Sequence, residues 1–206
     1  MTPEQKKFYD IKTTTDYTTV GDDVDYKVFT DDERKQAVLQ FEESDSRQDW
    51  KNNLLCIPWP LKLEKKIVWT TLGYARAYKS TQKQPIEELF AAWSKTCNYK
   101  ICVRGWSFGS AMAKIATRHI EIDGWFVNEL TTYGDVKCWV NPFYKAKAQR
   151  VREYVTPNDG VTWCVPLFHR DRKCSVGPRF SLKELFHSEQ YHTRYEEYDY
   201  SKWEEE

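Results

Sequence analysis

The amino-acid sequence predicts an α/β protein with a mostly parallel central sheet and helices on both of its faces. Two observations predict this class. β-type and helical patterns alternate along residues 84–155, which is typical of strand–helix–strand units. The 206 residues are 40% hydrophobic and 16% aromatic, which is enough for one extensive core. We therefore expect a single domain over residues 1–206.

The N-terminal part of the chain predicts a helix followed by a hairpin. Thr2 is typical of an N-cap and the proline after it of a first helical position, so we expect a helix over residues 3–9. The remainder of residues 1–24 is Thr-rich and polar, which predicts a loop. Short β-type runs at 26–29 and 37–41 flank a turn-rich segment, and this arrangement indicates a hairpin.

The centre of the chain contains the clearest helical pattern. Apolar side chains recur at helical spacing after Pro85. A β-type edge element is expected before it, at 67–70. Six further elements are predicted after it, in the order strand, helix, strand, helix, strand and helix: 99–103, 107–119, 130–133, 143–149, 151–155 and 182–186. The acidic tail, 196–206, is expected to fray.

Composition excludes several classes of protein. Lys plus Arg and Asp plus Glu both number 31, so the chain is not a globally basic nucleic-acid binder. The longest obvious uncharged stretch, 52–61, is too short to cross a bilayer. The N-terminal residues lack the apolar run of a secretory signal, so we expect a cytoplasmic protein.

The cysteines predict free thiols, because none of the six forms a Cys-x-x-Cys pair and no export signal is seen. Cys164, His169 and Cys174 are five residues apart and form a weak metal-binding pattern. A zinc site usually has closer pairs and a fourth ligand, so we expect no metal.

Residues 105–109 carry the most informative motif, Gly-Trp-Ser-Phe-Gly, between a predicted strand and a predicted helix. A Gly-x-Ser-x-Gly motif in this context is typical of a nucleophile elbow, a tight turn that lifts the serine above the edge of the sheet. The flanking residues must be small, as Gly105 and Gly109 are. The motif therefore predicts Ser107 as a nucleophile, rather than as part of an ordinary connecting turn.

A serine nucleophile needs a base, and the base must be oriented by an acid. Two carboxylates follow predicted strands, Asp159 and, as the second choice, Asp135. His119 ends the helix that Ser107 begins, so it lies far from the serine. Spacing alone does not choose among the three remaining histidines: His169, His187 and His192.

Several further motifs occur in the order found in one known family. They are Phe-Glu-Glu-Ser at 41–44, the elbow at 105–113, Thr-Tyr-Gly at 132–134, Asn-Asp-Gly-Val within 155–166 and His-Thr-Arg-Tyr at 192–195. Together they resemble the motifs of the fungal-type class 3 lipases, which have the α/β-hydrolase fold. The resemblance extends over roughly residues 26–195.

This resemblance implies a serine hydrolase that cleaves acyl or lipid esters without a cofactor or a metal. It implies Ser107 as nucleophile, Asp159 as acid and His192 as base. It also implies an oxyanion hole formed by the backbone N–H of Phe108 and by the backbone and hydroxyl of Ser44. The expected partner is a small-molecule ester or a lipid, with peripheral lipid contact at most.

The chain departs from the family pattern immediately before Ser44. Glu42 and Glu43 replace the usual Arg-Gly, and a carboxylate near a forming oxyanion repels it unless it points away. This departure supports an alternative, a catalytically silent binding protein on the same fold. A thioesterase or acyltransferase with the same three residues is a further alternative.

Overall fold

The computed structural model describes residues 1–43, 56–81, 83–141, 146–163, 168–170, 172–181, 184 and 188–204. The first part of the chain forms helix α1 and strands β1 to β5, which span Pro3–Thr13, Thr18–Val20, Val24–Asp31, Gln36–Phe41, Pro58–Leu63 and Lys66–Thr71. Helices α2 and α3 follow at Leu72–Ser80 and Gln84–Trp93.

The second part of the chain contains four strands and three helices in the described residues. Its elements are β6, α4, β7, β8, β9, α5 and α6, at Lys100–Trp106, Phe108–Ile122, Glu129–Tyr133, Arg150–Val155, Lys173–Ser175, Ser188–His192 and Ser201–Glu204. Short 3₁₀ turns lie at Gly160–Trp163 and Tyr195–Glu197.

One sheet of seven strands runs through the described part of the chain in the order β1-β2-β3-β6-β7-β8-β9. The first three strands are antiparallel neighbours, whereas β3, β6, β7, β8 and β9 are parallel. Strands β4 and β5 form a separate antiparallel hairpin. This topology confirms the predicted α/β class with a mostly parallel sheet.

Each face of the sheet carries its own core. Because side chains alternate along a strand, Val103 and Trp106 of β6 point to opposite faces. Val103 joins a large aliphatic core with α4. Trp106 joins an aromatic core that includes Phe8 of α1 and Tyr200 near the C-terminus. Helices therefore cover both faces, as predicted.

Local signals explain the first helix. The hydroxyl of Thr2 accepts a hydrogen bond from the backbone N–H of Gln5, and the Gln5 side chain accepts one from the N–H of Thr2. This reciprocal capping box satisfies two backbone donors that would otherwise lack a partner. The helix extends to Thr13, beyond the predicted end at residue 9.

Three expectations about local structure are wrong. The helix predicted at 143–149 is not found at 146–149, because these residues lead into β8 and the N–H of Gln149 already donates to the carbonyl of Val127 (3.1 Å), whereas 143–145 lie outside the described residues. The acidic tail does not fray through residue 204, because Tyr198 and Tyr200 are buried in the aromatic core. The loop after α1 contains strand β1. The predicted helix at 182–186 lies, apart from residue 184, outside the described residues.

Every helix in the described ranges is too short or too polar to cross a lipid bilayer.

Candidate active site

Ser107 lies in a strained turn between the end of β6 and the start of α4. Its backbone has φ 54° and ψ −121°, a combination that non-glycine residues rarely adopt. The glycines on either side are required by close packing. A Cβ atom on Gly105 would lie 2.2 Å from the carbonyl oxygen of Gly109. The predicted elbow is therefore present, with the serine at its apex.

Gly109 also lets α4 approach the end of β3. A Cβ atom at this position would lie 2.2 Å from the carbonyl oxygen of Glu42 and 2.7 Å from that of Phe41. No side chain fits at such distances, so the glycine sets how closely the segment after β3 approaches the turn that holds Ser107.

Asp159 and His192 form a buried pair. Nδ1 of His192 lies 2.7 Å from Oδ2 of Asp159, a short and charge-assisted hydrogen bond. The Asp159 carboxylate also accepts hydrogen bonds from the N–H of Val161 (3.0 Å) and from the hydroxyl of Tyr195 (3.1 Å). Asp159 is fully buried, and these three donors fix its carboxylate after the carboxyl end of β8.

His192 packs against the residues that surround the elbow. The indole N–H of Trp106, the residue before Ser107, donates to the carbonyl of His192 (3.2 Å). Gly134 follows β7 with φ +52°, and a Cβ atom there would lie 2.6 Å from Cε1 of His192. The imidazole therefore occupies space that exists because residue 134 is a glycine.

Nε2 of His192 faces Glu43. Its distance to Oε1 of Glu43 is 3.3 Å, within ion-pairing range but without the alignment of a hydrogen bond, and no other described residue hydrogen-bonds this nitrogen. Burial on its own would lower the pKa of His192. The carboxylates of Asp159 and Glu43 outweigh burial and raise the pKa to about 9.

Asp135, the second choice for the acid, belongs to a different cluster. Its carboxylate contacts the ammonium of Lys114 (2.9 Å) and the guanidinium of Arg170 (3.0 Å). Thr132 donates to it as well (2.9 Å). The charge of Asp135 is thus balanced by two cations, and the structure brings Asp159, not Asp135, to a histidine.

Of the other two candidate histidines, only His169 lies within the described residues. His169 is exposed, and its backbone pairs with that of Trp139 through an isolated bridge (2.7 Å). His187 lies outside the described residues, as does Cys164 of the weak metal pattern, so these two stay untested. The described cysteines are free thiols: Cys56, Cys97, Cys102, Cys138 and Cys174.

The predicted oxyanion hole is described in part. Phe108 is the first residue of α4, and N–H groups in the first turn of a helix have no acceptor within that helix. Its role as an oxyanion donor stays a prediction. Ser44 lies outside the described residues, so its role stays a prediction.

Three residues around the pair have contacts that sequence reasoning missed. Tyr195 supports Asp159, and its hydroxyl also accepts a hydrogen bond from the N–H of Thr156 (3.0 Å). The His-x-x-Tyr spacing was a usable signal for this contact. The sequence predicts neither the contact of Gly134 with the His192 ring nor the position of Glu43 beside the imidazole. Only the tertiary structure shows those two contacts.

A strained serine between a parallel strand and a helix, with a histidine–carboxylate pair packed against the residue before it, is typical of the α/β-hydrolase fold. The chain belongs to the family Lipase (class 3), whose sequence profile matches residues 38–167, more than half of the chain. Among curated protein sequences, none matches this chain.

Solved structures of lipases are similar to this chain. The triacylglyceride lipase of Rhizomucor miehei is 19% identical, with a TM-score of 0.66 over 77% of this chain and 64% of that one. The Lip2 lipase of Yarrowia lipolytica is 17% identical, with a TM-score of 0.58 over 79% and 64%. A triacylglycerol lipase described as having a serine protease triad as its catalytic centre is 18% identical, with a TM-score of 0.62 over 79% and 65%.

These likenesses confirm the predicted α/β-hydrolase fold. The chain spans less than two thirds of the length of the lipases it matches.

Proposed function

We propose that this protein is a serine hydrolase that cleaves carboxylic esters of acyl chains or lipids. One observation carries the proposal: the buried Asp159–His192 pair packs against Trp106 and Gly134, at the turn that holds the strained Ser107. Membership of the Lipase (class 3) family supports the same chemistry. An acid and a histidine held next to an elbow serine weigh against a purely binding role.

In the proposed reaction, Ser107 is the nucleophile. Its Oγ attacks the ester carbonyl carbon while Nε2 of His192 takes the hydroxyl proton, and the carbonyl π electrons move to oxygen. Collapse of this intermediate breaks the bond to the alkoxy group, which leaves as an alcohol with the proton from His192. A water molecule, deprotonated by the same nitrogen, then releases the carboxylic acid and restores the serine.

Asp159 orients the base in this scheme. Its hydrogen bond to Nδ1 directs the Nε2 lone pair toward the reacting atoms and stabilises the imidazolium that forms. Val161 and Tyr195 hold the carboxylate in turn, so the ring cannot rotate freely. We assign Asp159 and His192 the roles of orienting acid and general base.

The N–H of Phe108 and the backbone and hydroxyl of Ser44 are the proposed oxyanion donors. Such donors act because negative charge on the carbonyl oxygen appears only as the tetrahedral intermediate forms. Loss of one donor costs about 3 to 4 kcal/mol of transition-state stabilisation in known cases.

Apolar side chains exposed on the β4–β5 hairpin support an acyl or lipid substrate. Ile67 and Trp69 are two residues apart on β5, so they share one face of the hairpin, and they are 63% and 50% exposed. Large exposed side chains that are grouped together mark contact surfaces on soluble domains. We propose them as peripheral contacts for acyl chains or a lipid surface. A cytoplasmic location stays a prediction.

Hydrolysis of ester substrates with short, medium and long acyl chains tests the proposal. We expect turnover by the wild type, and a loss of about 10⁴-fold or more in kcat for Ser107→Ala and His192→Gln. Ser94→Ala, an exposed helix-end serine, is the matched control and keeps wild-type rates. Absence of turnover by folded wild type on every ester contradicts the proposal. Preference for thioesters or for alcohol acceptors instead of water identifies a thioesterase or acyltransferase.

A further inference from the structure

A second cluster of metal-ligand side chains lies where the β4–β5 hairpin meets the C-terminal end of α4. Glu64 is in the hairpin turn, and His119 and Asp123 are four residues apart on α4 and its C-cap. Nε2 of His119 lies 3.7 Å from Oε1 of Glu64 and 3.8 Å from Oδ2 of Asp123. One ligand atom from each residue lies within 4.8 Å of the other two.

The histidine of this cluster is buried and has an unused ring nitrogen. His119 is 3% exposed, and its Nε2 has no hydrogen-bond partner in the described ranges. Its Nδ1 lies 3.0 Å from the hydroxyl of Tyr78. A hydrogen bond at one ring nitrogen fixes the ring and leaves the other available, which is how metal-ligating histidines are usually held.

We propose that Glu64, His119 and Asp123 bind one divalent first-row transition-metal ion, Zn²⁺ in particular. An ion placed between the three atoms would be about 2.1 to 2.4 Å from each, so a few tenths of an ångström of adjustment gives normal Zn–N and Zn–O lengths. One imidazole and two carboxylates suit Zn²⁺ better than Ca²⁺ or Mg²⁺, which prefer oxygen ligands throughout.

The position of the cluster favours a cation on further grounds. The C-terminal end of a helix carries a partial negative charge, and α4 ends at this point. The ammonium of Lys83 contacts the Glu64 carboxylate and therefore competes with the ion for it. The Lys83 side chain is 43% exposed and is free to turn to solvent when the ion binds.

The ion would join the hairpin to the helix that begins at Ser107. Since it would bind Glu64 together with two residues at least 55 positions later, it binds only the folded chain and stabilises the native state by mass action. At a free ion concentration of 100 times Kd, we expect the Tm to rise by about 5 to 10 °C. Binding at this site is independent of ester hydrolysis.

Binding is measured on the full chain after removal of metals with a chelator and equilibrium dialysis against ZnCl₂. We expect one Zn²⁺ per chain and a rise in Tm, with no comparable effect of CaCl₂ or MgCl₂. The absorption spectrum of the protein with Co²⁺ bound in place of Zn²⁺ shows which type of ligand holds the ion. We expect weak visible bands without the intense near-ultraviolet band of a thiolate ligand, which excludes binding by the exposed Cys97.

Substitutions test the assignment in both directions. Glu64→Gln, in an exposed turn that folding tolerates, and His119→Ala are each expected to lower affinity by tenfold or more. Tyr78→Phe is expected to lower it about tenfold through the histidine. Lys83→Met is expected to raise affinity, because the competing ammonium is gone. Asp22→Asn, an exposed carboxylate on another turn, is the matched control and binds like the wild type.

Each remaining outcome overturns the proposal. These outcomes are an absence of Zn²⁺ binding by the wild type and Zn²⁺ binding by Glu64→Gln with wild-type affinity. A thiolate band with Co²⁺, or stronger binding of Ca²⁺ than of Zn²⁺, overturns the proposal as well. If His119→Ala fails to fold, Glu64→Gln and Lys83→Met still decide, because they act at exposed side chains in opposite directions.

Discussion

Glu43→Gln removes a negative charge beside the proposed general base while keeping the size of the side chain. In the wild type the pKa of His192 is about 9, so at pH 7 only about 1% of the protein has the neutral imidazole that the reaction needs. We therefore expect kcat/KM to rise with pH and to level off above about pH 9. Removing the charge of Glu43 lowers the pKa of His192 and moves this rise to lower pH.

The size of the shift follows from the 3.3 Å distance between Nε2 of His192 and Oε1 of Glu43. The Glu43 side chain is 28% exposed, so solvent screens the interaction strongly. With an effective dielectric constant of about 40 to 80, the pair is worth about 1 to 2.5 kcal/mol, or about one to two pKa units. Taking the lower value, we expect the midpoint to fall by about one unit and kcat/KM at pH 7 to rise about tenfold.

The assay is pH-stat titration of the acid released from a soluble short-chain ester, over roughly pH 6 to 11. The quantity compared is kcat/KM, because its pH dependence reports the pKa values of groups in the free enzyme. Glu42→Gln is the matched control, since the charge of Glu42 acts on Tyr17. Its midpoint is expected to stay near that of the wild type. An unchanged midpoint in Glu43→Gln, or an equal shift in Glu42→Gln, refutes this reasoning.

Four further predictions follow from the contacts of the site. Asp135→Asn is expected to destabilise the fold by about 3 kcal/mol, measured by urea unfolding, because the buried Lys114 loses a charge partner, while kcat of the folded protein stays near wild type. Asp159→Asn is expected, in contrast, to lower the kcat of the folded protein by about 10⁴-fold. Gly134→Ala is expected to lower kcat about 100-fold, measured at equal folded fraction, because the new methyl group displaces His192. The pKa of His192 is raised on folding from about 6.5 to about 9, so its stabilisation is complete below about pH 6.5 and lost as pH rises through 9. The unfolding free energy of the wild type relative to His192→Gln is thus expected to fall by up to about 3 kcal/mol between pH 6 and pH 10.

The results that contradict these predictions are specific. A catalytic loss in Asp135→Asn as large as that in Asp159→Asn would reverse the assignment of the acid. Wild-type kinetics for Gly134→Ala would mean that the imidazole does not need the space at that glycine. A pH-independent difference between wild type and His192→Gln would mean that folding leaves the pKa of the histidine unchanged.

The elbow could be predicted from the sequence because its cause is local. Gly105 and Gly109 are two residues from Ser107, and the steric limits of one tight turn demand small residues at both positions. The alternation of helices and strands over residues 84–133 is likewise a local pattern, and it predicts the parallel pairing of β6 with β7.

The partners of the serine could not be chosen from spacing. Asp135 and Asp159 both follow a strand, and what separates them is the pairing of Asp135 with Lys114 and Arg170, which comes from distant parts of the chain. His192 is 33 residues from Asp159, and only the family resemblance pointed to that pair.

The remaining differences between the predicted and the observed structure come from tertiary contacts. Tyr198 and Tyr200 lie in an acidic segment that composition alone predicts to be mobile, yet both are buried against the aromatic core. Glu43 departs from the family pattern, and its sequence position indicated a conflict with the oxyanion. Its side chain lies instead at the imidazole, a direction that no sequence pattern encodes.

Reaction with a fluorophosphonate probe, followed by mass spectrometry of the labelled peptide, tests whether the serine at the elbow is an activated nucleophile. We expect one adduct per chain, on Ser107, formed faster as pH rises toward 9 and abolished in His192→Gln. Folded protein that stays unlabelled, or that carries the adduct on another residue, would contradict the account.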